Sequence, residues 1–180
     1  MKLYILPLLF TDNDLLEHLS SVVSEAFKIP VSFLQESFSL EEGFDPVRNQ
    51  YNSTWILSKL LEKAPNEDCK ILGVTTVDLF VPVLTFVFGE AQLQGKAAVV
   101  SSYRLRDELY GLPRNPERLK ERLEKEAIHE LAHTFGLVHC RRTECVMHSY
   151  TYAEEVDFKS KDFCSTCSVL LDQKKKQAAS

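Results

Sequence analysis

The stretch between residues 129 and 139 holds side chains that could bind a metal ion and move a proton. It reads His-Glu-Leu-Ala-His-Thr-Phe-Gly-Leu-Val-His. Residues four apart lie on one face of a helix, so His129 and His133 can present both imidazoles to a single metal ion. Glu130 is rotated by about 100° from His129 and stands beside the open coordination position of that ion. One turn of helix would therefore supply two ligands and an acid–base group.

A third imidazole follows at the end of this motif. Gly136 lies three residues after His133 and lets the chain turn sharply, so that His139 can return to the same ion. Three nitrogen ligands with one open position are typical of a catalytic zinc ion, which lowers the pKa of its bound water to about 7. The competing interpretation is three unrelated histidines on a helix and its tail.

Four of the five cysteines form two close pairs near the end of the chain: Cys140 with Cys145, and Cys164 with Cys167. In a reducing compartment such a cluster is typical of a tetrahedral structural zinc site, which stabilises a segment too short to build its own core. Disulfides or separate buried thiols are the alternatives. Positions 139 and 140 are neighbours, about 3.8 Å apart at Cα, and would serve different ions. The sequence therefore predicts two mechanically coupled zinc ions per chain, one catalytic and one structural.

The motif over residues 129–167 resembles that of the archaemetzincins, metzincin-type zinc peptidases in which a four-cysteine site follows the zinc-binding helix. The resemblance implies a catalytic domain with a mixed sheet and two helices in an upper lobe, a small zinc-stapled lower lobe, and an active-site cleft between them. It also implies a cytoplasmic protein in which Met147 forms an apolar floor beneath the three histidines. Tyr150 lies three residues after Met147, whereas the better-known metzincin groups place a transition-state-stabilising tyrosine two residues after it.

These residues favour a zinc metallopeptidase as the functional hypothesis. Glu130 would take a proton from the zinc-bound water as it attacks a peptide carbonyl, and would then pass that proton to the leaving amine. The alternative is a zinc-stabilised module that binds peptides or a partner protein without turnover. A structural site does not need an acid beside an open position, which favours the enzyme.

Three residues near the motif have less specific interpretations. His148 adjoins the floor methionine and could compete as a metal ligand. Arg141 and Arg142 could attract a substrate carboxylate, although solvated loop charges are the favoured interpretation.

The composition is that of a globular protein with a single domain. The chain has 180 residues, of which 44% are hydrophobic and 26% charged, which excludes a disordered, collagenous or coiled-coil protein. A net charge of −5 draws the protein neither to nucleic acid nor to an anionic membrane, so we expect a peptide or protein substrate. We also expect a monomer. No apolar run approaches the roughly 18–20 residues of a membrane-spanning helix, which predicts a cytoplasmic location. Residues 1–10 superficially resemble a signal peptide, but they favour a buried first strand.

The elements that must position the site alternate between strands and helices, which predicts an α/β (α+β) fold with a mixed, mostly parallel sheet. Apolar patterning predicts strands at 2–6, 31–34, 70–75, 83–88 and 96–101, helices at about 12–27 and from Ser53 onward, and a polar loop before that second helix. The last three strands have connections too short for helical crossovers, so one must run antiparallel. We assign that orientation to 83–88 at the sheet edge, where free backbone groups could pair with an extended peptide.

The metal motif falls on the last long helix. Asn115 is its predicted N-cap, Pro116 its first residue and Gly136 its stop, with an apolar stripe at Leu119, Leu123, Ala127, Leu131 and Phe135. A short helix at 165–171 follows. We expect an upper lobe over 1–136, a lower lobe over 137–172 and a frayed tail at 173–180, for which nucleic-acid binding by three lysines is the alternative.

Overall fold

The computed structural model describes residues 1–65 and 68–178. In chain order its strands are β1 (Lys2–Leu8), β2 (Val31–Phe33), β3 (Phe44–Asp45), β4 (Gln50–Asn52), β5 (Cys69–Thr75), β6 (Leu79–Phe80), β7 (Gly89–Ala91) and β8 (Ala97–Ser101). Its helices are α1 (Asn13–Phe27), α2 (Ser53–Lys63), α3 (Pro116–Thr134) and α4 (Ser165–Ala178). The main sheet has the order β2-β1-β5-β8-β7, with β7 antiparallel to β8 and the other pairs parallel. The prediction of a mixed, mostly parallel sheet is confirmed.

Helices cover both faces of this sheet, which explains why its central strands are apolar throughout. β5 and β8 are buried along their whole length. Leu72 and Val74 pack with residues of α1 and α3 on one face, whereas Ile71 packs with residues of α2 on the other. Strands buried on both faces read as continuous hydrophobic runs. Among the helices of the described ranges, none has the length and apolarity needed to cross a membrane.

Helix α3 begins and ends where its sequence predicts. The Asn115 side chain accepts a hydrogen bond of 3.0 Å from the Arg118 amide, and Pro116 is the first helical residue. The helix ends at Thr134, and Gly136 follows with φ +93°, a backbone conformation that a side chain disfavours. Both boundaries place the histidine motif on the last turns of a buried helix.

The strand predicted at 83–88 is wrong, because the antiparallel edge strand is β7. Within this segment the carbonyls of residues 84 and 85 bond to side chains, and only the Phe88 carbonyl, next to β7, bonds to β8. Arg48 donates to the carbonyls of residues 84 and 82 at 2.9 and 3.3 Å, and Gln50 donates to that of residue 85 at 3.0 Å. Val87 forms one isolated antiparallel bridge with Leu79. The apolar pattern of 83–88 reflects a loop whose residues line a cleft.

Two other segments are more regular than predicted. The polar stretch before α2 contains β3 and β4, which form a small sheet with β6, and these strands are too short to give a periodic signal. The last helix was predicted to end at 171 and continues to Ala178, into the tail for which fraying is predicted. Leu171 is buried, and Lys175 Nζ donates to the Phe27 carbonyl at the end of α1 at 2.7 Å, which anchors α4. Residues 179–180 lie outside the described residues.

A buried ion network ties α3 to the segments on either side of it. Arg122 lies on α3 with 3% of its side chain exposed, and its guanidinium donates two bonds of 2.7 Å to Asp157 and one of 2.9 Å to Asp107. Arg118 also pairs with Asp107, at 2.8 Å, but 41% of its side chain is exposed. The two arginines therefore share a carboxylate but differ in burial.

This difference predicts unequal losses of stability. Arg122→Met should lower the free energy of unfolding by about 3 kcal/mol, because it removes three charge-assisted hydrogen bonds of a buried guanidinium and leaves the buried Asp107 with only the partly solvated Arg118. Arg118→Met, the matched control, should lower it by about 0–1 kcal/mol, because that pair is partly solvated and Asp107 keeps Arg122. Equilibrium unfolding in urea measures both. Equal losses for the two variants would contradict this account.

Candidate active site

The end of α3 and the turn after it bring three imidazoles together. The Nε2 atoms of His129 and His133 are 3.1 Å apart. The chain then reverses at Gly136, whose amide donates to the His133 carbonyl at 2.8 Å. This turn places the His139 ring with its centroid 5.2 Å from that of His129 and 5.0 Å from that of His133. The ligand atoms of the three histidines all lie within 4.8 Å of one another, so they can share one ion.

Backbone carbonyls orient two of the three rings. His129 Nδ1 lies 2.9 Å from the Val146 carbonyl oxygen, and His133 Nδ1 lies 2.7 Å from that of Leu137. A carbonyl only accepts, so each Nδ1 carries the proton and each Nε2 keeps its lone pair for a metal ion. Burial lowers the pKa of all three imidazoles, which keeps them neutral at neutral pH. Three neutral, converging nitrogens fit a zinc ion with an open fourth position.

Glu130 lies beside this group with only 7% of its surface exposed. Burial raises its pKa well above the ordinary range, and the carboxylate of Glu126 acts in the same direction. Its side chain fits against the edge strand because residue 89 is glycine. A Cβ on Gly89 would stand 2.6 Å from Glu130 Cγ and 2.5 Å from the Val99 carbonyl oxygen. The edge strand and the carboxylate therefore occupy adjoining space that leaves no room for a larger residue.

His129, His139 and Glu130 open onto a cleft of about 600 Å³. One wall is the loop that replaces the predicted strand, and the opposite wall comes from the segment after Met147. Both walls carry aromatic rings, while the end at α3 is charged. The lining includes Leu84, Phe86, Phe88, Gly89, Glu126, His129, Glu130, His139, Tyr150, Tyr152 and Lys159.

The four cysteines form a second group of possible ligands. The sulfurs of Cys140, Cys145, Cys164 and Cys167 lie within 4.8 Å of one another, and no disulfide joins any cysteines of the described residues. The amide of Cys167 lowers the pKa of the Cys164 thiol to about 7, whereas burial raises the pKa of Cys145 and Cys167. Four thiolates in this arrangement fit a tetrahedral zinc ion, whose binding would displace the remaining protons.

Short backbone bonds connect the two groups. The Cys140 amide donates to the Met147 carbonyl at 2.8 Å, and His148 N donates to the Cys145 carbonyl at 2.9 Å. Met147 is fully buried, and the residue before it accepts the hydrogen bond of His129. The turn that carries Met147 is therefore bonded both to the cysteines and to a histidine of the other group.

The remaining candidate residues lie outside both groups. His148 Nδ1 bonds to the Cys140 carbonyl at 2.9 Å, and Tyr150 donates its hydroxyl to the Thr143 carbonyl at 3.3 Å while its ring lines the cleft. Arg141 and Arg142 are exposed. Of these residues, only Tyr150 is among those that line the cleft.

Two charged residues of the cleft were missed by the sequence analysis. Glu126 lies four residues before Glu130, and that spacing was a usable signal because it places both carboxylates on one face of α3. Lys159 lies 20 residues after His139, and nothing in its local sequence points to the site. The buried ammonium of Lys159 meets Glu126 at 2.8 Å.

Comparison with known proteins is consistent with this geometry over nearly the whole chain. The model of Peptidase family M54 matches residues 12–173. An archaemetzincin from Methanocaldococcus jannaschii is 40% identical over 174 residues, which cover 93% of this chain and 90% of that one. The crystal structure of archaemetzincin from Methanopyrus kandleri superposes with a TM-score of 0.85 at 36% identity, covering 98% of this chain and 96% of that chain. A zinc-dependent peptidase from Methanocorpusculum labreanum gives 0.84 at 35% identity, covering 94% and 99%.

The fold and the converging histidines define a zinc metallopeptidase, an enzyme that acts on peptides or proteins. The chain belongs to peptidase family M54, the archaemetzincins. The resemblance seen in the sequence and the fold class predicted from it are confirmed.

The glycine turn predicts a specific loss of metal affinity. Gly136→Ala should weaken zinc binding at the histidines about tenfold or more, because it strains a positive φ and a Cβ would stand 2.7 Å from Gln94 Cγ. Gly111→Ala is the matched control, with φ +77° and open space around a Cβ. Both variants should lose about 1–2 kcal/mol of stability, but only the first should lose zinc affinity, measured by competition with a chelator. Equal affinities would contradict the role of this turn.

Proposed function

We propose that this protein hydrolyses peptide bonds in the cleft, with a zinc ion on His129, His133 and His139 and with Glu130 as the general base. The observation that carries the proposal is the position of Glu130. Its carboxylate is buried, follows His129 directly and lines the same cleft as His129 and His139. A carboxylate in that position can reach a water at the open coordination site without being a ligand itself.

The residues of the chain then divide the reaction between them. Zinc bound at the histidines supplies a Lewis acid for the substrate carbonyl and an acidified water. Glu130 accepts a proton from that water and delivers it to the leaving amine. Burial raises the pKa of this carboxyl group, which favours its holding the proton between the two steps. The carbonyls of Val146 and Leu137 fix the tautomers of His129 and His133 and aim their Nε2 atoms at the ion, while burial keeps both rings neutral.

The substrate backbone is proposed to lie along β7. The Phe88 carbonyl accepts from Ser101 N and the Gln92 amide donates to the Ala97 carbonyl, so alternate residues of this strand face β8. The residues that alternate with these in the strand turn their amide and carbonyl groups away from β8. Gly89 and Ala91 are the residues in these positions. These groups can pair with an extended peptide at the sheet edge, beside Glu130.

A second zinc ion on Cys140, Cys145, Cys164 and Cys167 is proposed as structural. Support comes from the approach of the four sulfurs and from the irregular chain around them, which has few regular elements of its own. The turn that carries Met147 is bonded to both groups of ligands, and Met147 would then form an apolar floor beneath the three histidines. Four thiols that must stay reduced also support a cytoplasmic location.

Replacement of the general base should separate catalysis from binding. Glu130→Gln keeps the size of the side chain and removes the proton acceptor, so peptide hydrolysis should fall by about 10²–10⁴-fold while zinc content and substrate affinity hold. His133→Ala, by contrast, should lose both the metal ion and the activity. Turnover of a mixed peptide library, read by mass spectrometry, measures the effect. A Gln variant that cleaves at the wild-type rate would exclude Glu130 as the base, and binding without cleavage by both proteins would favour a binding module.

The two zinc sites should differ in their release of metal. Elemental analysis should find two zinc ions per chain, and a mild chelator should empty the open histidine site first, because the four-thiolate site is closed. Cys164→Ser should lose the structural ion and weaken zinc binding at the histidines, since their turn depends on it. Cys69→Ala, which alters a buried cysteine of strand β5, should retain both ions. A single zinc ion in the wild type would count against the two-ion proposal. Unchanged zinc affinity of the histidine site in Cys164→Ser would count against the coupling of the two sites.

A further inference from the structure

A buried lysine joins the zinc-binding helix to the turn after it. Only 1% of the Lys159 side chain is exposed, and its Nζ lies 2.8 Å from Glu126 Oε1. The same ammonium donates to the His148 carbonyl at 3.2 Å. Glu126 is itself 7% exposed. Lys159 therefore has an acceptor on α3 and another on the residue directly after Met147.

One of the two acceptors lies on helix α3, and the other lies next to the turn that carries Met147. Glu126 precedes His129 by three residues and Glu130 by four, so it shares their face of α3. His148 follows the turn whose Val146 carbonyl accepts from His129. Both Glu126 and Lys159 line the cleft together with His129, Glu130 and His139. Lys159 is thus a second link between the helix and the turn, besides the bond from His129.

The energetics of this link favour a geometric role over a stabilising one. Burying an ammonium and a carboxylate carries a desolvation cost that their attraction roughly offsets, so an apolar pair of similar volume would stabilise the fold about as well. The ion pair and the carbonyl bond are directional, whereas apolar packing is not. What the lysine contributes beyond packing is therefore a fixed distance between α3 and the His148 carbonyl.

We propose that Lys159 is a positioning residue that holds the turn of Met147 against the zinc-binding helix, with Glu126 orienting its ammonium. The proposal rests on the proposed histidine zinc site. The role assigned to Lys159 is exerted through the His148 carbonyl and the helix face that carries Glu126, not as a metal ligand or an acid–base group.

Four variants of the full chain test this role. Lys159→Met keeps the length of the side chain and removes both bonds. Glu126→Gln keeps an acceptor for Lys159 and removes the charge. The double variant Glu126→Lys with Lys159→Glu restores an ion pair but leaves the His148 carbonyl without a donor. Lys161→Met is the control, a lysine two residues away whose side chain is 47% exposed.

The main measurement is zinc affinity of the histidine site, by competition with a chelator that leaves the cysteine site loaded. Lys159→Met should weaken it by about 10–100-fold, as removal of groups behind metal ligands does. Glu126→Gln should lose less, and the exchanged pair should not recover the affinity, because a carboxylate at 159 cannot donate. The visible spectrum of cobalt in the histidine site should change in the same order. In zinc-loaded protein kcat should fall more than KM rises, and Lys161→Met should match the wild type throughout.

Each outcome decides the proposal. Wild-type zinc affinity and an unchanged cobalt spectrum in Lys159→Met, even with lowered stability, would overturn it in favour of a purely structural lysine. Recovery in the exchanged pair would overturn it in favour of charge balance alone. If Lys159→Met does not fold, the test rests on Glu126→Gln and the exchanged pair. The zinc affinity of the histidine site should then be lower in the exchanged pair than in Glu126→Gln. Failure of the wild type to bind zinc at the histidines is a different result, which would refute the proposed function itself.

Discussion

The hydrogen bond from His129 Nδ1 to the Val146 carbonyl joins the two parts of the molecule on which the site depends. One partner lies on a helix packed against the sheet, and the other lies in the irregular chain that carries Met147 and the cysteines. The bond fixes the tautomer and the plane of a ring that has almost no solvent around it. Burial keeps this imidazole neutral and the carbonyl aims its free Nε2, which together are the condition for metal binding. The bonds from Val146 N to the Asp162 carbonyl and from Cys140 N to the Met147 carbonyl hold the segment that carries the accepting carbonyl.

The same constraint explains why α3 buries so many charged side chains. A helix that presents histidines and a glutamate inside the protein cannot be apolar on that face, and each charge needs a partner in place of water. Arg122 meets Asp107 and Asp157, and Lys159 meets Glu126. These partners come from segments before and after α3. The polar interior is therefore also what connects the helix to its surroundings, at little net gain in stability.

The sheet contributes to the site through its free edge. Parallel strands β1, β5 and β8 form the support, while β7 reverses direction and ends the sheet beside Glu130. At the closest point the strand has a glycine, so that its backbone and the carboxylate side chain can adjoin. A backbone edge next to a buried acid gives an extended chain hydrogen-bonding groups at the place where the chemistry is proposed.

Local signals in the sequence determined the elements that depend on a few neighbouring residues. Asn115, Pro116 and Gly136 define the ends of α3, and the spacing of His129, Glu130 and His133 defines their common face, because helix geometry is set by short-range bonds. The type and spacing of the four cysteines likewise indicated a possible metal site. Tertiary structure decided what depends on distant partners. The segment 83–88 has the apolar pattern of a strand, but Arg48 and Gln50 from another part of the chain donate to two of its carbonyls. Lys159 becomes part of the site only because the fold buries it against Glu126, and no local pattern encodes a contact across 33 residues of sequence.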